Sequence, residues 1–206
     1  RISRCSVNTP WDDAIVLKSS YALGYFKDTE NVTISDCFVS GYDRGSMLCG
    51  TWELDEPQAP DHGYRTGRIK LGTESSGGFK NITVTNCIFE HCRGLALETV
   101  DGGHLEDIEI SHITMRHIVN AGIFLRLGAR MRSPEGTLTA FCSLVINTLL
   151  DIGNLPPDCA FVRCRWAPFI NHFYFYTLSV THLIRYAFTV SGLACGARLG
   201  GWAARS

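Results

Sequence analysis

Two adjacent carboxylates, Asp12 and Asp13, stand directly before the apolar residues 14–17 in the segment Asn8-Thr-Pro-Trp-Asp-Asp-Ala-Ile-Val-Leu-Lys-Ser-Ser20. Neighbouring side chains on a strand point to opposite faces, but at a bend before one, both can reach a single cleft. Close carboxylates do not ionise independently, so one pKa is expected to rise and supply a general acid near neutral pH. Asp is also common in solvated turns, and the residues alone leave that reading open.

A second group lies in Gly67-Arg-Ile-Lys-Leu-Gly-Thr-Glu-Ser-Ser-Gly-Gly78. Arg68 and Lys70 are two apart, so on a strand both point to one face. Such a pair suits a substrate carboxylate, with Arg able to grip it as a fork; it equally suits a solvated edge. The Gly77-Gly78 turn lacks the Lys-Ser/Thr ending of a phosphate loop, and no cofactor is read from the sequence. Downstream, Glu98, Asp101, Arg126, Arg130 and Arg132 are charges near expected strand ends, where solvation or mutual pairing is the ordinary outcome. His62, His91, His104, His112 and His117 show no ligand spacing with a carboxylate partner, apart from a chance match of His91 with His117, so no metal site is expected.

The elements that must carry these residues are visible in a four-fold echo. Ile2-Ser-Arg-Cys-Ser-Val7 returns as Ile34-Ser-Asp-Cys-Phe-Val39, Val84-Thr-Asn-Cys-Ile-Phe89 and Ile110-Ser-His-Ile-Thr-Met115. Three copies follow an acidic or amide lead-in: Glu30-Asn31-Val32, Lys80-Asn81-Ile82 and Glu106-Asp107-Ile108. The spacing implies stacked coils of about two dozen residues, with one extra coil hidden between the second and third copies. Each unit alternates as a strand does and no helical pattern follows it, which predicts an all-β fold, a parallel β-helix. Cys5, Cys37 and Cys87 share the fourth repeat position, so they are expected to stack inside, continued by Ile113, with Ile2, Ile34, Val84 and Ile110 forming a parallel ladder.

The chain has 206 residues, a net charge of −1, 45% hydrophobic residues, 20 glycines and nine cysteines. That charge offers no basic field for nucleic acid, and neither a nucleic-acid nor a membrane partner is expected. The chain opens on a strand-like segment with no signal-peptide pattern, and a solenoid beginning in mid-coil implies that its first coils are missing. The character changes near residue 137. All four lysines lie before residue 81, and from Phe141 to Ser206 only Asp151 and Asp158 are acidic. Residues 1–136 are read as β-helix coils, a partial catalytic domain. Residues 137–206 are read as an atypical hydrophobic tail, out of frame or disordered. A membrane span is disfavoured because His172, His182 and Arg185 interrupt any apolar run of about 18–20 residues.

Residues 8–20 and 67–132 together resemble the polygalacturonase family, glycoside hydrolase family 28, in its bacterial pectin-degrading branch. The closest match is Asp12-Asp13 before Ala-Ile-Val-Leu-Lys-Ser. The resemblance implies a right-handed parallel β-helix and inverting hydrolysis of pectin, galacturonan or rhamnogalacturonan, in a secreted or periplasmic protein. It makes Asp12 the general acid and gives Asp13 a share in activating water with a further aspartate from an Asn-Thr-Asp motif one coil earlier. That motif is absent here, so impaired activity is expected. Residues 67–78 resemble the coil that carries Gly-His-Gly but hold no His. Ala96-Leu97-Glu98 stands where Arg-Ile-Lys is usual, and Arg68-Ile69-Lys70 lies one coil early. The candidate substrate-binding residues are Lys18, Arg68, Lys70 and Glu98. A non-catalytic β-helix that binds polysaccharide or serves as a structural module is the alternative.

Overall fold

The structure is a computed structural model that describes residues 1–56, 65–128, 130 and 132, with the backbones of five short strands beyond them. It is built mostly of strands in parallel sheets, with one four-residue α-helix, α1 (Ser46–Cys49), and one 3-10 turn (Tyr21–Leu23) among the described residues. The first sheet takes β1 (Ile2–Ser3), β2 (Ser6–Asn8), β4 (Thr29–Ser35), β5 (Phe38–Ser40), β7 (Gly78–Glu90) and β9 (His104–Arg116). The second takes β3 (Ile15–Ser19), β6 (Ile69–Ser75), β8 (Leu95–Thr99) and β10 (Ala121–Leu127). The chain alternates between the two sheets, each new strand lying parallel beside its predecessor, which is consistent with a β-helix-like class.

Register explains why the sequence repeats. Ile2 pairs with Ile34, Ile34 with Val84, and Val84 with Ile110, so the expected aliphatic ladder is present. Cys87 pairs with Ile113, and Cys37 lies next to it through the Phe38–Ile88 pairing. Cys37, Cys87 and Ile113 are buried in one core with Val39, Phe89 and Met115, and Cys5 packs against it half-buried. The five cysteines at 5, 37, 49, 87 and 92 are free thiols. Burial pushes the Cys87 thiol up to about 11, so it behaves as a small apolar side chain. From the second sheet Ile15, Leu17, Ile69, Leu71, Leu95, Leu97, Ile123 and Leu125 enter the same core. Residues two apart on a strand share a face, so the alternate positions of these strands face outward.

The lead-in residues have a conformational cause. Asn31, Asn81 and Asp107 hold φ of 58°, 52° and 53°, and Asp36, Asn86 and His112 hold 58°, 51° and 54°. Asn and Asp enter this left-handed region more readily than other non-glycine residues, and here they turn the strands at matching points. Their side chains also bond from one pass to the next: the Asn81 amide donates to Asn31 and the Asn86 amide to Asp36, both at 2.7 Å.

The extra coil expected between the second and third copies is not there. Ile34 pairs directly with Val84, and in the second sheet Ile15 pairs directly with Ile69. The long interval is an insertion after β5 instead. Asp43 closes it by accepting the N–H groups of Asp55 (2.6 Å) and Glu56 (2.9 Å) and by pairing with Arg65 at 2.7 Å. His62 lies outside the described residues, as do the residue-136 boundary and the tail apart from its strand backbones. Of these, β11 (Leu144–Ile146) and β12 (Asp151–Ile152) pair with β9, and β13 (Ala160–Arg165) pairs with β10. Two more, β14 (Tyr176–Leu178) and β15 (Ala187–Thr189), pair with each other antiparallel.

Ile110 is fully enclosed in its ladder, whereas Ile2, on the edge strand β1, is only half-buried. Ile110→Ala should therefore cost roughly 2–4 kcal/mol in urea unfolding, and Ile2→Ala clearly less.

Candidate active site

Backbone pairing delivers the charged residues to one surface. The Thr66 N–H donates to Pro10 O at 2.9 Å, that of Gly67 to Asp12 O at 2.9 Å, and that of Ala14 to Arg68 O at 2.8 Å. The Asp-Asp segment is thereby laid alongside the approach to β6. Gly67 makes the approach possible: its φ is +53°, and a Cβ there would sit 2.3 Å from Ser40 O.

Asp13, Arg68, Lys70, Glu98 and Arg126 then form a continuous charged lattice on the outer face of the second sheet. Asp13 Oδ1 accepts from Arg68 Nε at 2.6 Å, and its Oδ2 lies 3.2 Å from Lys70 Nζ. Glu98 Oε1 meets Arg68 Nη2 at 3.3 Å and Lys70 Nζ at 3.4 Å, while its Oε2 meets Arg126 Nη1 at 3.5 Å. The order follows from register: Lys70 is opposite Ala96 and Arg126 opposite Glu98. The small Ala96 leaves room for the long Lys70 stem to lie down toward Glu98. Gly72 lets the two backbones approach: its φ is +104°, and a Cβ there would fall 2.2 Å from the Glu98 carbonyl oxygen. Arg68, Lys70 and Glu98 are buried.

Arg68 and Lys70 share a face, as their spacing requires, but they are not a solvated edge. The carboxylates they meet belong to Asp13 and Glu98 of the same chain. Glu98, expected at the substrate, is buried with a side-chain exposure of 4% and serves as the hub of these pairs. Lys18 stands apart, half-exposed, and pairs with Glu74 at 3.0 Å. Asp101 is likewise paired, accepting from Arg130 Nε at 2.9 Å.

The two aspartates diverge. Asp12 is exposed, and its Oδ1 accepts the Asp13 N–H at 2.7 Å. Burial acts to raise Asp13, but the charges and hydrogen bonds of Arg68 and Lys70 outweigh it and hold the carboxyl below its ordinary value. The upward shift expected within the pair therefore does not fall on Asp13, whose close neighbours are cations.

Arg126 closes the lattice by pairing with Glu98, one of the outcomes expected of charges near strand ends. Sequence reading missed two features. Trp11, just before Asp12, is 38% exposed, and the Arg44 guanidinium from the insertion lies over its ring at 4.1 Å. His91 and His117, matched only by chance in the sequence, occupy equivalent left-handed corners and stack at 4.4 Å, with Tyr42 5.0 Å from His91. Among the described residues no group of three or more His, Cys, Asp or Glu side chains could hold a metal ion, and no helix is long and apolar enough to cross a membrane. Comparisons with protein-family models, with curated proteins and with solved structures give no match.

Asp13→Asn would leave Arg68 and Lys70 buried with only Glu98, and should destabilise the protein by roughly 3–5 kcal/mol in denaturant titration. Because folding lowers the Asp13 pKa, its contribution is complete above the ordinary value of 3.8 and is lost as pH falls through the lower folded value. The unaltered protein should thus lose stability more steeply below about pH 4 than Asp13→Asn does.

Proposed function

We propose that the two parallel sheets are faces of a right-handed parallel β-helix, and that the outer face of the second sheet hydrolyses glycosidic bonds in galacturonic-acid-containing pectin with inversion. Repeated passage of the chain from one sheet to the other supports the architecture, and crossovers between parallel strands of one sheet are right-handed almost without exception. A polymer substrate of this kind is met outside the cytoplasm, so a secreted or periplasmic location goes with the reading.

The observation that carries the chemistry is the divergence of Asp12 and Asp13 at the edge of a buried charged lattice. Inversion needs one carboxyl that gives a proton to the leaving oxygen and another carboxylate that assists water on the opposite side of the sugar. Asp12, open to solvent, is the proton donor in this proposal. Asp13 is held as an anion and orients the water. With both oxygens already on cations it is a weak base, so a chain relying on it alone is a slow catalyst. The exposed Trp11 offers an aromatic surface beside the donor.

One observation favours a second reading, a non-catalytic module that binds polysaccharide. Arg68 and Lys70, the cations that would grip the substrate, are both occupied by Asp13 and Glu98.

Incubation with polygalacturonan and with rhamnogalacturonan, followed by a reducing-end assay, separates the two readings. Slow release of reducing ends that drops by about 100-fold or more in Asp12→Asn is the expected result. Full activity in that variant would remove Asp12 as the donor. Glycan binding without cleavage over long incubation would establish the second reading.

A further inference from the structure

The bend that carries the proposed proton donor is held, residue by residue, by the two ends of the insertion after β5. The Asn8 amide donates to Tyr42 O at 2.9 Å, and Asn8 Oδ1 accepts the Tyr42 N–H at 2.8 Å. The Thr9 N–H donates to Ser40 O at 2.9 Å, while Pro10 O and Asp12 O accept from the Thr66 and Gly67 N–H groups, each at 2.9 Å. Between them Trp11 is gripped through its ring, with the Arg44 guanidinium 4.1 Å from the ring centre. Arg44 is itself placed by the base of the insertion. Asp43 Oδ2 accepts the Glu56 N–H at 2.9 Å and Arg65 Nη2 donates to Glu56 O at 3.1 Å, which fixes the Glu56 backbone. Both Glu56 carboxylate oxygens then accept from Arg44 Nε, at 3.1 and 3.2 Å. A guanidinium can hold a carboxylate at its edge and an aromatic ring at its face together, because the two interactions use perpendicular directions. Placement therefore runs from Asp43 and Arg65 through Glu56 and Arg44 to Trp11, the residue covalently joined to Asp12. The Arg44 link is the exposed one, with 62% of its side chain open to solvent, so it can be altered without opening the core.

We propose that Arg44 is a positioning residue, which clamps Trp11 and thereby holds Asp12 where its carboxyl meets the leaving oxygen. The inference rests on the pectin reading above and gives the insertion a task in it. Arg44 acts through Trp11 and touches neither the sugar nor the bond being cleaved. Losing the clamp leaves substrate binding in place and misaligns the donor, so the effect falls on kcat and not on KM. One exposed cation–π contact corresponds to about fivefold in rate.

Fluorine NMR of the chain labelled with 5-fluorotryptophan reads the clamp directly, and reducing-end kinetics on polygalacturonan read its consequence. The Trp11 resonance is assigned as the one lost in Trp11→Phe. Arg44→Gln should shift that resonance and lower kcat by about fivefold, with KM within about twofold. Glu56→Gln, which loosens Arg44, should change both in the same direction and by less. Arg44→Lys keeps the charge without the flat face and should recover part of the loss. Melting temperatures should stay within about two degrees of the unaltered chain, which separates positioning from general loosening. If Arg44→Gln does not fold, Glu56→Gln decides. An unmoved Trp11 resonance, or a moved one with unchanged kcat, would overturn the inference and leave the pectin reading intact. So would a raised KM at unchanged kcat, which makes Arg44 a direct substrate contact, or a loss of kcat that only follows a large fall in melting temperature. An unaltered chain that cleaves no galacturonate would remove the hydrolytic reading, and this inference with it, even where the resonance moves.

Discussion

In-register parallel pairing places equivalent residues of successive strands directly on one another, and both faces of the sheets follow from that constraint. Inside, Ile34, Val84 and Ile110 stack as a ladder, and an aliphatic residue is acceptable at every rung. Outside, the same pairing brings long charged side chains within reach across neighbouring strands. A ladder of like charges would be repulsive there. From β3 to β10 the second sheet alternates Asp13, then Arg68 with Lys70, then Glu98, then Arg126 along its outer face. Small residues lie beneath it: Ala96 is opposite Lys70, and Gly72 lets its backbone approach that of Glu98.

Burying two carboxylates with two cations is not in itself a large gain in stability, because desolvation offsets much of the Coulomb attraction. The effect is better seen as specificity of arrangement. Once the strands are paired, each buried charge has its partner at the neighbouring register position and would lose it on slippage by one residue. The core penalises the same slip, since it would turn Ile69 and Leu71 outward and draw Lys70 inward. The hydrophobic and electrostatic patterns thus select the same register, and the geometry around Asp13 is fixed by both.

Much of this was legible in the sequence because parallel stacking writes itself as repetition. The shared position of Cys37, Cys87 and Ile113 was enough to place them together, and alternation was enough to put Arg68 and Lys70 on one face. The left-handed bends were half legible: the amides at 31 and 81 stood out, but their backbone role did not. What failed did so for identifiable reasons. A 50-residue interval between copies can hold an extra pass or an insertion, and only the direct Ile34–Val84 pairing distinguishes them. Partners of a charged residue lie on other strands, so the capture of Arg68 and Lys70 by Asp13 and Glu98 depends on a register that no local pattern states. The lowering of Asp13 was hidden for the same reason, because the sequence showed its neighbour Asp12 and not the cations.

Asp12 and Asp13 show how adjacent identical residues acquire different chemistry without any difference in type. They lie in the bend before β3, where Asp13 is drawn onto the lattice and Asp12 stays exposed. The bond from the Asp13 N–H to Asp12 Oδ1 then holds the outer carboxyl against the backbone at a defined place instead of leaving it to sample solvent. Burial acts on one carboxyl and solvent on the other, so two environments arise at a single peptide bond. The same logic limits what Asp13 can do. The cations that keep it ionised are the ones that reduce its basicity, so a strong base for water cannot come from Asp13 while Arg68 and Lys70 remain bound to it.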